Sequence, residues 1–264
     1  MQITSLTKHV LWVALMLGPA LLPLSGQNPR RLPTPWEDLE NDLRHQGFKT
    51  DTSSLVQLAE AGPSEQVQWM AIEILGLRGT QEVRPQLRKL AESGRSEFLK
   101  ETAALALARL KDERGIPLLK QYMSASSDTG RQVFMASQLA TLGDPTGYPL
   151  VSKAAESKDP RQRFLSAAAL VRFIGFEHDK KIQGVDPIEK LLRLAEDQDA
   201  KIRNEAVTQF VLAVYQGAPI SKFRPLVTKL AASDPDSDVR DTSARTLTLW
   251  TEQCRTHPST EGCK

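Results

Sequence analysis

The chain has 264 residues, with 34 Lys+Arg against 32 Asp+Glu, a formal charge of +2 and an aromatic share of 6%. That is a soluble, core-forming composition, and its near balance of charge argues against nucleic acid or an acidic membrane surface as a general partner. Plentiful alanine and leucine, with few consecutive β-branched residues, favour helix over strand.

Residues 1–26 stand apart. MQITSLTKH carries one positive charge, Lys8, and VLWVALMLGPALLPL follows as an apolar run broken by Gly18, Pro19 and Pro23. The run falls short of the ~20 apolar residues of a spanning helix, so a secretory signal peptide is expected over 1–26, with an uncleaved amphiphilic anchor as the alternative. Ala20 and Gly26 both offer a cleavage point. No cysteine follows the run to accept a bacterial lipid anchor. A periplasmic or secreted protein is the expectation, and without Lys8 it carries 33 basic against 32 acidic residues.

QNPRRLP, within 27–34, reads as an extended linker. TPWEDLENDLRHQG then predicts a helix with Thr34 at the cap, Pro35 in the first turn, Glu37 completing a capping box and Gly47 as the stop. Glu37, Asp38, Glu40, Asp42 and Arg44 suit an end helix that faces water.

From there the sequence repeats itself. Equivalent positions fall at Leu58-Ala59, Leu90-Ala91, Tyr122-Met123, Ala154-Ala155, Leu194-Ala195 and Leu230-Ala231, in steps of 32, 32, 32, 40 and 36. Thr80, Asp112 and Asp144 each stand five places before a proline, Pro85, Pro117 and Pro149, which predicts a capped, short and kinked first helix. Val83, Leu87, Leu90 and Ala91 form one apolar stripe, whereas Leu99, Ala103, Ala106, Leu107 and Leu110 make the next helix apolar nearly all round. Pairs of this kind bury their faces only against one another, so the expected fold is all-α: a right-handed α-solenoid of six helix pairs over 35–253, at 52–79, 80–111, 112–143, 144–177, 186–217 and 218–253.

LGDPTGYPLVSKAAESKDPRQRFLSAAALVRFIG, residues 142–175, resembles the HEAT-like repeat of phycobilisome-lyase-type proteins in its Gly-Asp-Pro opening, inner proline, Asp-Pro turn, arginine and alanine-rich second helix. The resemblance spans about 52–253. It implies a ladder of Asp and Arg residues linking neighbouring repeats, carried here by Asp159, Arg163, Asp199, Arg203, Asp236 and Arg240. On the residues alone, Asp199 caps a helix, Ile202 starts its buried stripe and Arg203 lies one turn in. GPSEQVQWM, GRSEFLKET and DTGRQVFMA lack the Asp-x-x-x-Arg spacing, so the ladder is expected only in the C-terminal half.

The fourth-to-fifth step is 8 residues longer than the period, and the excess falls in GFEHDKKIQGVDP, 175–187. Insertions in solenoids collect on one face, so Phe176, His178, Lys180 and Lys181 are candidate partner-binding residues. Trp69, Phe173, Phe210 and Trp250 are expected in the core and Trp36 over the first repeat.

Chemistry has little to work with. Beyond the signal the histidines are His45, His178 and His257, and only His178 adjoins a carboxylate, Glu177. The His-Glu pairs of HEAT-like deoxyhypusine hydroxylases are absent, as are a Gly-x-Ser-x-Gly elbow, a phosphate loop and a zinc-protease motif. No catalytic, cofactor or metal residue is assigned. Cys254 and Cys263 in the tail, 254–264, are expected to close a disulfide in an oxidising compartment; a metal reading with His257 is the weaker alternative. The expected function is a non-enzymatic scaffold, monomeric, holding an unidentified protein on its concave face. A bilin-lyase-type enzyme, and after it a nucleic-acid binder, are the alternatives.

Overall fold

The computed structural model describes residues 35–177, 184–256 and 263, so the expected signal peptide, linker and Thr34 cap lie outside the described residues. Among the described residues there are thirteen α-helices and no strand. They divide into two compact units, one ending at Ala125 and one beginning at Ser126, so the expected third pair contributes one helix to each.

The first unit contains α1 (Pro35–His45), α2 (Thr52–Ala61), α3 (Glu65–Leu77), α4 (Arg84–Ser93), α5 (Glu97–Arg109) and α6 (Gly115–Ala125). α2 buries one stripe, Leu55 and Ala59, and α4 another, Leu87, Leu90 and Ala91. α3 and α5 are buried almost all round, the latter through Leu99 and an unbroken run from Glu101 to Ala108. α2 and α4 therefore each pack on the second helix that follows, and α3 and α5 lie against each other. Their approach is close: a Cβ on Gly76 would stand 2.7 Å from Ala106 Cβ. α1 covers α3, with the Arg78 guanidinium 5.2 Å from the Trp36 ring centroid. Glu40, one of the charges expected to face water, instead turns inward at 2% exposure, pairing with Arg78 and with Arg44 at 2.7 Å.

Second-helix ends repeat the 32-residue spacing in the backbone. Gly79, Lys111, Gly143 and Gly175 all have positive φ, at 74°, 56°, 85° and 95°. At three of these ends the next N–H turns back to the helix, Thr80 to Leu75 O, Asp112 to Leu107 O and Asp144 to Leu139 O. This left-handed closure satisfies the free carbonyls of a helix end and favours glycine; Lys111 adopts it without one.

The second unit contains α7 (Thr129–Thr141), α8 (Tyr148–Ala155), α9 (Pro160–Leu170), α10 (Pro187–Leu194), α11 (Ala200–Tyr215), α12 (Ile220–Ser233) and α13 (Ser237–Thr256). α7, α9, α11 and α13 lie side by side in that order, and α8, α10 and α12 each pack on the helix that follows. Phe173, Phe210, Phe223 and Trp250 are fully buried, with Phe210 and Phe223 stacked at 4.5 Å.

The prolines depart from expectation. Pro85 and Pro149 are each the second residue of their helix, preceded by 3-10 turns at Gln81–Val83 and Pro145–Gly147, and Pro117 is the third residue of α6. In the first turn a missing N–H has no partner to lose, so these prolines start helices and do not kink them. Thr80 makes no side-chain cap bond, while Asp112 and Asp144 accept from the N–H groups of Arg114 and Thr146.

Candidate functional site

Outside the α4–α5 hairpin, where Lys100 bonds Glu97, each hairpin solves the same local problem: the carbonyls that end the first helix and form the turn need donors. The solution is a side chain in the first turns of the second helix. Gln68 Nε2 donates to Glu60 O at 3.2 Å, and Gln132 Nε2 to Ser126 O at 2.8 Å. Arginine does the same in later hairpins: Arg163 Nη1 to Ser157 and Lys158, Arg203 Nη1 to Asp197 and Gln198, Arg240 Nη1 to Asp234 and Pro235.

An arginine held this way has its Nε–Nη2 edge left over. Arg163 directs it to Asp197, Nε to Oδ2 at 2.6 Å and Nη2 to Oδ1 at 3.1 Å. Arg203 directs it to Asp234, at 2.8 and 2.7 Å. Two parallel bonds to a carboxylate fix orientation as well as distance. Both arginines are nearly buried, and Asp234 is 6% exposed.

The acids in these rungs are not the ones the spacing pointed to. Asp159, Asp199 and Asp236 turn their carboxylates to the free amides that open α9, α11 and α13, accepting from Arg161, Lys201 and Asp238. A cap carboxylate is committed to its own helix, so the arginine meets the acid two residues before the cap of the next hairpin. Those acids, Asp197 and Asp234, each also accept the N–H of that cap residue, at 2.9 Å. Burial alone would raise their pKa values, but the arginine hydrogen bond, the turn N–H and the arginine charge outweigh it and hold both below the usual carboxylate range. Hydrogen bonding to these acids raises Arg163 and Arg203 further.

The first unit links hairpins by other ion pairs. Arg88 grips Asp112 through Nε at 3.0 Å and Nη2 at 2.8 Å, Arg109 meets Glu73 at 2.5 Å, and Arg114 meets Glu92 at 2.8 Å. The sequence carries no short spacing that reveals them, because each joins residues more than 20 positions apart.

Around the 175–187 insertion, Phe176 is half-buried and Glu177 accepts the Gly175 N–H at 2.7 Å. His178, Lys180 and Lys181 lie outside the described residues, as does His257. The loop rejoins the fold where Asp186 N–H donates to Tyr148 Oη at 2.7 Å. Cys254 and Cys263 are joined in a disulfide. Trp69, Phe173, Phe210 and Trp250 are all buried. Tyr215 and Leu249 are the large apolar side chains that stay exposed among the described residues. On α11, Gln209 Nε2 donates to Glu205, whose pKa burial raises against that bond. No group of three His, Cys, Asp or Glu among the described residues is placed to hold a metal ion, and no described helix is long and apolar enough to cross a membrane.

Residues 52–137 match the family model of HEAT repeats. That span runs from the start of α2 into α7 and supports a HEAT-like repeat protein. No curated protein matches the sequence. Among solved structures, the crystal structure of an engineered protein aligns at 19% identity and a TM-score of 0.44, over 75% of this chain and 95% of that one.

Proposed function

We propose that the protein is an exported, monomeric, non-enzymatic scaffold of HEAT-like repeats, which holds a partner protein along the face lined by its second helices, with the 175–187 loop beside it. The observation that carries this reading is the arrangement of second helices. Within each unit they lie against one another and hold more than half of the buried apolar residues, as an interaction surface built from stacked pairs requires. HEAT repeats, matched over 52–137, commonly mediate protein interactions. Six pairs, a right-handed turn and kinship with the phycobilisome-lyase-type repeats, supported by the 142–175 stretch, belong to the same proposal. Export is supported by the 1–26 sequence and by a disulfide of the kind that persists in oxidising compartments.

The test is capture from an envelope extract by the full chain. One protein recovered in stoichiometric amount, and lost when Phe176, Lys180 and Lys181 are replaced by alanine, agrees with the proposal. A chromophore or metal that copurifies in place of a protein replaces it with an enzyme of the bilin-lyase type.

A further inference from the structure

Arg240 repeats one half of the geometry of Arg163 and Arg203 and leaves the other half open. Its Nη1 donates to Asp234 O at 2.7 Å and Pro235 O at 3.1 Å, so the guanidinium is held against its own turn as the two earlier ones are. In those two the Nε–Nη2 edge then receives a carboxylate from the following hairpin. Among the described residues none does so for Arg240. Its neighbours are committed elsewhere: Asp236 to the N–H groups of Asp238 and Val239, Asp234 to Arg203. The Cys254–Cys263 disulfide sits near the far end of α13, about 21 Å along the helix at 1.5 Å per residue.

The helix surface beside this edge is open as well. Val207, Phe210 and Val214 of α11 are buried; the corresponding places on α13 hold Ala244, Leu247 and Thr251, of which only Leu247 is half-covered. A polar outer helix needs no more explanation than solubility. A guanidinium held against its own turn does more, because it presents a rigid planar edge matched to a carboxylate. A second copy stacked in the same register would not fill it, because its first two hairpin turns carry Gly62 and Gly94 where the acid stands at Asp197 and Asp234.

We propose that the Nε–Nη2 edge of Arg240, framed by the open face of α13, receives the side-chain carboxylate of an acidic inter-helix turn on a partner protein. This rests on the interaction-scaffold reading and supplies the chemistry of one contact within it.

The test uses the full chain and the arginine Nε–H signals in its NMR spectrum. The first probe is sodium acetate, with sodium chloride at matched ionic strength as the control. The Arg240 signal should shift along a saturating curve with an apparent affinity at least about tenfold above that of Arg245, which is exposed and, among the described residues, bonds only a hydroxyl, Thr242. The second probe is a synthetic peptide of residues 186–217, whose turn carries Asp197. It should shift Arg240 at lower concentration than acetate, and both the Asp197→Asn peptide and the Arg240→Gln chain should weaken that binding at least about tenfold. Equal, unsaturated responses of Arg240 and Arg245 to acetate overturn the proposal whatever the peptide does. So does a helical peptide that binds no better when its aspartate is present. The outcome is separable from the scaffold reading, because partner capture by the second-helix face is tested with Arg240 intact.

Discussion

Arg203 and Asp234 lock two hairpins through a pair of bonds of 2.8 and 2.7 Å, while the remaining nitrogen of Arg203 closes the turn before α11. One side chain thus ties its own hairpin and the next. Removing either partner leaves a nearly buried charge unpaired, so Asp234→Asn or Arg203→Ala should cost about 2–4 kcal/mol in urea unfolding. Arg203→Lys keeps the charge but not the fork, and should recover less than half of that loss. A change within about 0.5 kcal/mol for Asp234→Asn would show that the rung does not stabilise the stack.

The same acids set the pH dependence. Asp197 and Asp234 ionise below the usual range, so their contribution is complete above an unfolded value of about 3.9 and is lost as pH falls through their lower folded values. Glu205 has the opposite sign: burial raises it, so its contribution is present below about 4.3 and is lost as pH rises through its folded value. Stability should therefore fall steeply below about pH 4, and less steeply in Asp197→Asn, Asp234→Asn chains. Glu205→Gln, which keeps an acceptor for Gln209, should raise Tm by a few degrees at pH 7 and leave it unchanged at about pH 4 or below. A Glu205→Gln gain that is the same at both pH values would refute the assignment.

Lys111 occupies a place that glycine holds at 79, 143 and 175, with φ of 56° and an exposed side chain. A left-handed non-glycine residue costs roughly 1–2 kcal/mol, part of which the greater unfolded-state freedom of glycine offsets. Lys111→Gly should stabilise the protein by about 0.5–1 kcal/mol, and Gly143→Ala should destabilise it by about 1 kcal/mol. Thermal unfolding of the two single variants measures both, and a loss of stability in Lys111→Gly would contradict the closure described for α5.

The Cys254–Cys263 bridge closes a short loop beyond the last buried residue of α13, Trp250. Loop-closure entropy limits its effect to about 3 kcal/mol. The Cys254→Ser, Cys263→Ser double variant should keep its far-ultraviolet spectrum, lose only a few degrees of Tm and be cut faster by protease between 256 and 263. Protein taken from cells under thiol-trapping conditions should show no free thiol if the chain is exported; two reactive thiols would count against export.

How much of the fold and the ladder is legible in the residues depends on where each signal lives. The helix pairs are, because burial against neighbours imposes a 32-residue recurrence on leucine and alanine that any self-comparison detects. The arginines of the ladder are legible by position, but their partners are not. Asp197 and Asp199 are the same residue type two places apart, and only the placement of the neighbouring hairpin decides which one meets an arginine and which one caps a helix. Arg88 and Asp112, 24 positions apart, carry no local pattern at all. Proline misleads for a related reason: its effect depends on whether it falls in the first turn or beyond it, and the 3-10 turns before α4 and α8 shift that boundary.

The tight crossing of α3 and α5 gives the sharpest packing prediction. Gly76 lies within α3, where alanine would ordinarily be better by about 1 kcal/mol. Here a Cβ would meet Ala106 Cβ at 2.7 Å and the Ala106 backbone α-carbon at 2.8 Å, so the added methyl pushes on the α5 main chain as well as on a side chain. Gly76→Ala should therefore destabilise by about 1–3 kcal/mol, reversing the sign expected from helix propensity. Ala106→Gly alone costs about 1 kcal/mol, yet it removes one of the two clashing atoms. The double variant should accordingly be more stable than the sum of the single losses, though still short of the parent, because the new methyl still presses on the α5 main chain. Chemical unfolding of the four proteins completes the cycle, and a stabilising Gly76→Ala would mean that α3 and α5 do not approach this closely.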